Sequence, residues 1–162
     1  MPVNVKEAVM IFRPELDLII STDINAFAEN MLSTAPEAFY QDEKLVTHVK
    51  KVFKLVNEML VREGTGGPYR DMMLTAVLFS DMTLNSMPDD LKHLHPITIS
   101  SIIREHGKEL HSQVIDALIQ MIEGHEGSRS PSRQLEPKMG QPGFIIALAN
   151  QIARYEFVEI NL

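Results

Sequence analysis

Residues 69–82, "YRDMMLTAVLFSDM", have helical character but are apolar on nearly every side. A helix on the surface of a domain needs a polar face, so a helix without one must be enclosed by other elements. This stretch therefore predicts a central helix and, with it, a fold built around one. The neighbours have the matching pattern. Leu45, Val49, Val52, Val56 and Met59 recur at spacings of three and four, which predicts an amphipathic helix over 42–63, ended by "GTGG". Further helices are expected over 25–32, 96–105, 108–123 and 144–156, the recurrence at every fourth position in 108–123 placing Leu110, Val114, Leu118 and Ile122 on one stripe. "LDLIIS" is open between strand and helix. Strand signals are few, and the expectation is an all-α single domain over 1–162, a bundle of six or seven helices.

Composition narrows the function classes. The 162 residues, 44% apolar, suit one domain with a real core. The chain has no cysteine, which removes disulfides, thiolate zinc sites and cysteine nucleophiles together; any metal would rest on His, Asp, Glu or water. A net charge of −7, from 22 acidic and 15 basic residues with no long basic run, disfavours general nucleic-acid binding. "MPVNVKEAVM" lacks the apolar centre of a signal peptide, and no apolar run approaches the ~20 residues of a membrane span. A soluble, cytoplasmic protein with no membrane partner is expected. Residues 124–143, "GHEGSRSPSRQLEPKMGQPG", read as a long loop, either a lid over a site or a surface excursion. The ten methionines, Met72, Met73, Met82 and Met87 among them around the apolar helix, carry no functional reading, since methionine at helical spacing is most often core.

The central helix ends in a charge. An unpaired carboxylate at Asp81 would cost several kcal/mol or take up a proton, so it needs a partner. His48 lies beside Val49 and Val52 at the edge of an apolar stripe. One helix carrying a histidine and a buried helix ending in an aspartate can bring an imidazole and a carboxylate to one interior point, as divalent-metal chemistry requires. His93 and His95 stand at the mouth of a helix and His125 just past the end of another, both good positions for a ligand, whereas His106 and His111 are expected at the surface. Lys51, Arg70, Arg129 and Arg133 are the candidate phosphate contacts, since guanidinium groups grip phosphate at two points and ammonium groups act as point charges.

In order, these motifs resemble those of the HD-domain superfamily of metal-dependent phosphohydrolases. "HVKKVFKLVNEMLVREGTGGPYRDMMLTAVLFSDM" is similar to the family's first histidine helix followed by an apolar helix ending in a His-Asp pair. "HPITISSIIREHG" resembles its later histidine-led helix, "ALIQMIEGHEG" its helix ending in histidine before a variable loop, and "IIALANQIARYEFVEI" its closing helix. The resemblance spans about 47–160 and implies an HD-like helical bundle. It implies His48, Asp81, His95 and His125 as metal ligands, Asp81 and Lys51 as catalytic groups, and Lys51, Arg70 and Arg129 as substrate contacts. The departures are specific. Ser80-Asp81 stands where the family has His-Asp, and Asn150 where the closing helix supplies Asp, so two of four usual ligands are neutral and weak.

Two readings of Asp81 follow. Either it holds a divalent cation (Mn, Mg, Fe or Ni) in a shifted site with His95 and His125, with or without His48, or no metal is bound and hydrogen bonds from Ser80, Asn150, His48 and a nearby Lys51 or Arg70 neutralise a relic. The departures favour the relic, a degenerate HD-domain protein or pseudo-phosphohydrolase that acts by binding a nucleotide-like or phosphate ligand, or a protein partner. The alternatives are a metal-dependent phosphohydrolase acting on phosphomonoesters or nucleotides, and a structural or interaction module that keeps only the fold.

Overall fold

Helices with one apolar face pack around the helix that has no polar one. The computed structural model describes residues 5–127 and 142–162, and among these every regular element is helical. The α-helices are α1 (Val5–Ile11), α2 (Arg13–Leu16), α3 (Thr22–Ser33), α4 (Glu37–Gln41), α5 (Glu43–Arg62), α6 (Gly67–Phe79), α7 (His95–His106), α8 (Ser112–Glu123) and α9 (Pro142–Ala153), with short 3-10 turns at Leu84–Ser86 and Asp89–Leu94. The all-α class is as expected. The six helices of 12 to 20 residues fall on the six segments of helical periodicity, but α8 starts at Ser112 and not 108, which leaves Leu110 before it, and α6 and α9 end three residues early, at Phe79 and Ala153. The count rises to nine among the described residues because α1, α2 and α4, of four to seven residues, are too short for a period to show. "LDLIIS" is neither strand nor helix beyond Leu16, which closes α2; it is a turn and a short irregular link into α3. No described helix is long and apolar enough to cross a membrane.

The central position of α6 follows from its sequence. Asp71 and every residue from Met73 to Phe79 are buried, and α3, α5, α8 and α9 pack around it. Phe79 meets Phe27 of α3 edge-on, ring centres 5.7 Å apart. Next to it, α5 buries Leu45, Val49, Val52, Phe53, Val56 and Leu60 along one face. The side chain of Asp42 caps α5 by accepting from the Leu45 amide at 3.1 Å, and Asn85 donates to its other oxygen at 3.0 Å. These two donors, the Asn85 bond foremost, hold the Asp42 carboxyl below its ordinary range. The reversal from α5 into α6 requires left-handed backbone at Gly64 (φ 70°) and Gly67 (φ 67°), which glycine adopts without steric cost. Asp71 is the buried charge at the head of α6, and it accepts from the Ser21 and Ile20 amides at 2.7 and 3.2 Å, fixing the link that leads into α3. Arg70 lies alongside, bonded to Asn57 and to the Leu18 carbonyl. One contiguous core runs through all of these elements.

Candidate metal centre

Asp81 follows Ser80, the C-cap of α6, and is 4% exposed. Helix C-termini carry partial negative charge, so a buried carboxylate there calls for a cation or strong donors. Two histidines from distant segments supply them. His95, the first residue of α7, and His125, just past the C-cap of α8, each bring Nε2 to 3.1 Å from Asp81 Oδ1, and the two Nε2 atoms are 3.2 Å apart. Both are buried.

The opposite ring nitrogens decide what these rings offer. His95 Nδ1 donates to the Lys92 carbonyl and His125 Nδ1 to the Ile122 carbonyl, each at 2.7 Å. A backbone carbonyl only accepts, so Nδ1 carries the proton in both rings and both Nε2 lone pairs are left for the shared point. Backbone-anchored imidazoles presented in this way are the usual arrangement of histidine metal ligands. Glu126 completes the group, with Oε1 3.8 Å from His95 Nε2 and 3.6 Å from His125 Nε2; the four ligand atoms lie within 4.8 Å of one another. Its side chain is 16% exposed and is held from outside by Arg154, whose Nη2 donates to its two oxygens at 3.2 and 3.4 Å. This buried His/Asp/Glu group could hold a metal ion.

With three acceptor-capable atoms in one small triangle, something positive must sit among them. Without a metal, at least one Nε2 keeps a proton. Helix dipoles assign it to His125, which lies at the negative end of α8, rather than to His95, which opens α7 at its positive end. The electrostatics agree. Burial works against charge on His125, but the Asp81 carboxylate outweighs it and raises the imidazole pKa. Burial likewise works against charge on Asp81, yet the attraction and hydrogen bonds of His125 and His95 hold the carboxyl well below its ordinary value.

Comparison with family models, curated proteins and solved structures finds no match for this chain.

The remaining sequence candidates divide by position. His48 is half-buried and donates from Nε2 to Asn150 Oδ1 at 2.6 Å, while Asn150 Nδ2 donates to the His125 carbonyl at 3.1 Å. His48 thus reaches the backbone of the ligand segment through Asn150, not Asp81 itself. Ser80 Oγ donates to the Ala76 carbonyl at 2.7 Å. Among the described residues the atoms within hydrogen-bond distance of the Asp81 carboxylate are the two histidine Nε2 atoms, and none belongs to Ser80, Asn150, His48, Lys51 or Arg70. Arg70 stands eleven residues before Asp81, so about 16 Å along the axis of α6 at 1.5 Å per residue. Lys51 lines an open pocket with His48 and Arg154. His93, His106 and His111 are exposed. Arg129 and Arg133, with most of the expected 124–143 loop, lie outside the described residues. Glu126 and Arg154 were not singled out by sequence, although Glu126 directly follows His125 and an adjacent carboxylate was the signal available.

Proposed function

We propose that this chain is a divalent-metal-binding protein of HD type that hydrolyses phosphate esters at a single, shifted centre of Asp81, His95, His125 and Glu126. The carrying observation is the pair of Nδ1-anchored imidazoles converging with Asp81 on one point. The donor set fits a borderline cation. Neutral imidazoles with carboxylates suit Fe²⁺, Mn²⁺, Ni²⁺ or Zn²⁺ better than Mg²⁺, which prefers all-oxygen surroundings.

A divalent ion supplies Lewis acidity, by which water becomes a nucleophile near neutral pH. The protein's own groups do the rest. Asp81 contributes negative charge at the buried end, and His95 and His125 fix their lone pairs through the Lys92 and Ile122 carbonyls. Glu126 adds a second carboxylate on the solvent side of the buried triad, held there by Arg154. A second reading, a protein that binds without hydrolysis, is favoured by the burial of Asp81, His95 and His125 together with the neutral Ser80 and Asn150.

The test is a calorimetric titration of metal-stripped protein with Mn²⁺ and, under anaerobic conditions, Fe²⁺. Micromolar binding weakened by about 100-fold or more in Asp81→Ala and His125→Ala is expected. No binding to the unaltered protein overturns the metal centre. With metal bound, turnover of p-nitrophenyl phosphate or bis(p-nitrophenyl) phosphate that is lost in Asp81→Ala separates the hydrolase from the binding protein.

A further inference from the structure

An acidic protein that gathers cations at one pocket has a reason to do so. A surface pocket of about 550 Å³ is lined by Lys44, Thr47, His48 and Lys51 of α5 and by Arg154 just past α9, with one carboxylate, Glu43, on its wall. The positions 44, 47, 48 and 51 lie three and four apart and so share one face of α5. Neither lysine enters an ion pair among the described residues. Arg154 spends Nη2 on Glu126, which orients the guanidinium, while its Nε and Nη1 donors make no hydrogen bond among the described residues.

We propose that this pocket is a subsite for a phosphate group, bound by Lys44, Lys51, the Thr47 hydroxyl and the outer donors of Arg154. Lys44, Lys51 and Arg154 stand against Glu43 on the wall and Glu126 behind Arg154, an excess of one positive charge that suits an anion. Two mobile ammonium groups and a remaining guanidinium N–H of Arg154 match a tetrahedral oxyanion, which takes donors from several directions. The volume lies within the range of small-molecule sites. Position gives the subsite its meaning. Arg154 links it to Glu126, whose Oε1 lies 3.6 and 3.8 Å from the two histidine Nε2 atoms, so a phosphoryl group there is one side chain away from the buried triad. Anion binding itself stands without the metal centre; a role for the subsite in placing a scissile phosphate ester rests on that reading.

The experiment is a titration of metal-stripped and Mn²⁺-loaded protein, at low ionic strength, with inorganic phosphate and separately with adenosine monophosphate. Amide chemical shifts report the location and calorimetry the affinity. Lys51→Ala is expected to weaken binding by about tenfold, the loss of one charge-assisted contact, while Lys108→Ala, an equal change of charge at an exposed position elsewhere, leaves it within about twofold. Arg154→Lys, which keeps the charge and loses the planar guanidinium that reaches Glu126 and the pocket together, is expected to fall between the parent and Arg154→Ala. Shifts centred on 44–51 and 153–154 in metal-stripped protein support the subsite even where Mn²⁺ fails to bind, in which case only the metal centre falls. Affinity equal in Lys51→Ala and the parent, or binding seen only with Mn²⁺ and indifferent to Lys51, overturns it. Tighter binding of adenosine monophosphate than of phosphate assigns the phosphoryl group to a nucleotide; equal affinity assigns it to the free anion.

Discussion

A single proton determines how Asp81, His95 and His125 behave without metal. With Nδ1 of both rings committed to carbonyls, the triangle needs at least one proton on Nε2, and the dipole of α8 and the Asp81 charge place it on His125. A cation entering the triangle must expel it. Metal affinity should therefore rise by about tenfold per pH unit up to the raised His125 pKa, with about one proton released per ion, a stoichiometry read from calorimetry in buffers of different ionisation enthalpy. The same pair sets a pH window for the metal-stripped protein. His125, raised above 6.5, contributes stability that is complete below 6.5 and is lost as pH rises through its folded value. Asp81, lowered from 3.8, contributes stability present above 3.8 and lost as pH falls through its folded value. The stability difference between the parent and Asp81→Asn should thus be largest between those limits and shrink towards alkaline pH. Denaturant melts from pH 4 to 9 measure it, and a difference that grows above pH 7 would contradict the assignment. At this scale the sequence was partly legible. Asp81, His95 and His125 stand out because each is a polar group at the end of an apolar helix. Glu126 and Arg154 do not, because their roles come from which helix ends meet in space.

Among the elements, α6 and α5 show most directly how pattern becomes packing. Leu78 is fully buried in α6, and Leu78→Ala should cost about 3 kcal/mol through lost transfer energy and the cavity left behind. Thr75, also fully buried on α6, has a hydroxyl with no hydrogen-bond partner among the described residues. Thr75→Val keeps the shape and removes the unsatisfied group, so it should raise stability by about 1 kcal/mol, measured by urea unfolding. Asp42→Ala should cost about 1 kcal/mol by uncapping α5, with faster amide exchange in its first turn. The long helices were legible because burying one stripe imposes a period over three or more turns. The short α1, α2 and α4 were not, since one or two turns hold too few residues to set helix apart from turn. Nor was the tie between Asp71 and the link before α3, a contact across 50 residues of sequence that only the packed fold creates.

For the molecule as a whole, occupancy of the centre should appear as stability. An ion that binds the folded chain alone, at 100 times its dissociation constant, adds about 2.7 kcal/mol, so Mn²⁺ should raise the melting temperature and a chelator reverse the shift, with no such response in Asp81→Ala. The three buried ligands come from the end of α6, the start of α7 and the segment just past α8, with His95 14 positions after Asp81, His125 30 positions after His95 and 44 after Asp81. A bound ion would therefore close nested loops of chain, as a disulfide does, in a protein that has no cysteine. Such a clasp differs from a disulfide in being released by exchange rather than by reduction. The lifetime of the folded chain would then follow the rate at which the ion leaves, and resistance to proteolysis would depend on the metal supply rather than on the redox state of its surroundings.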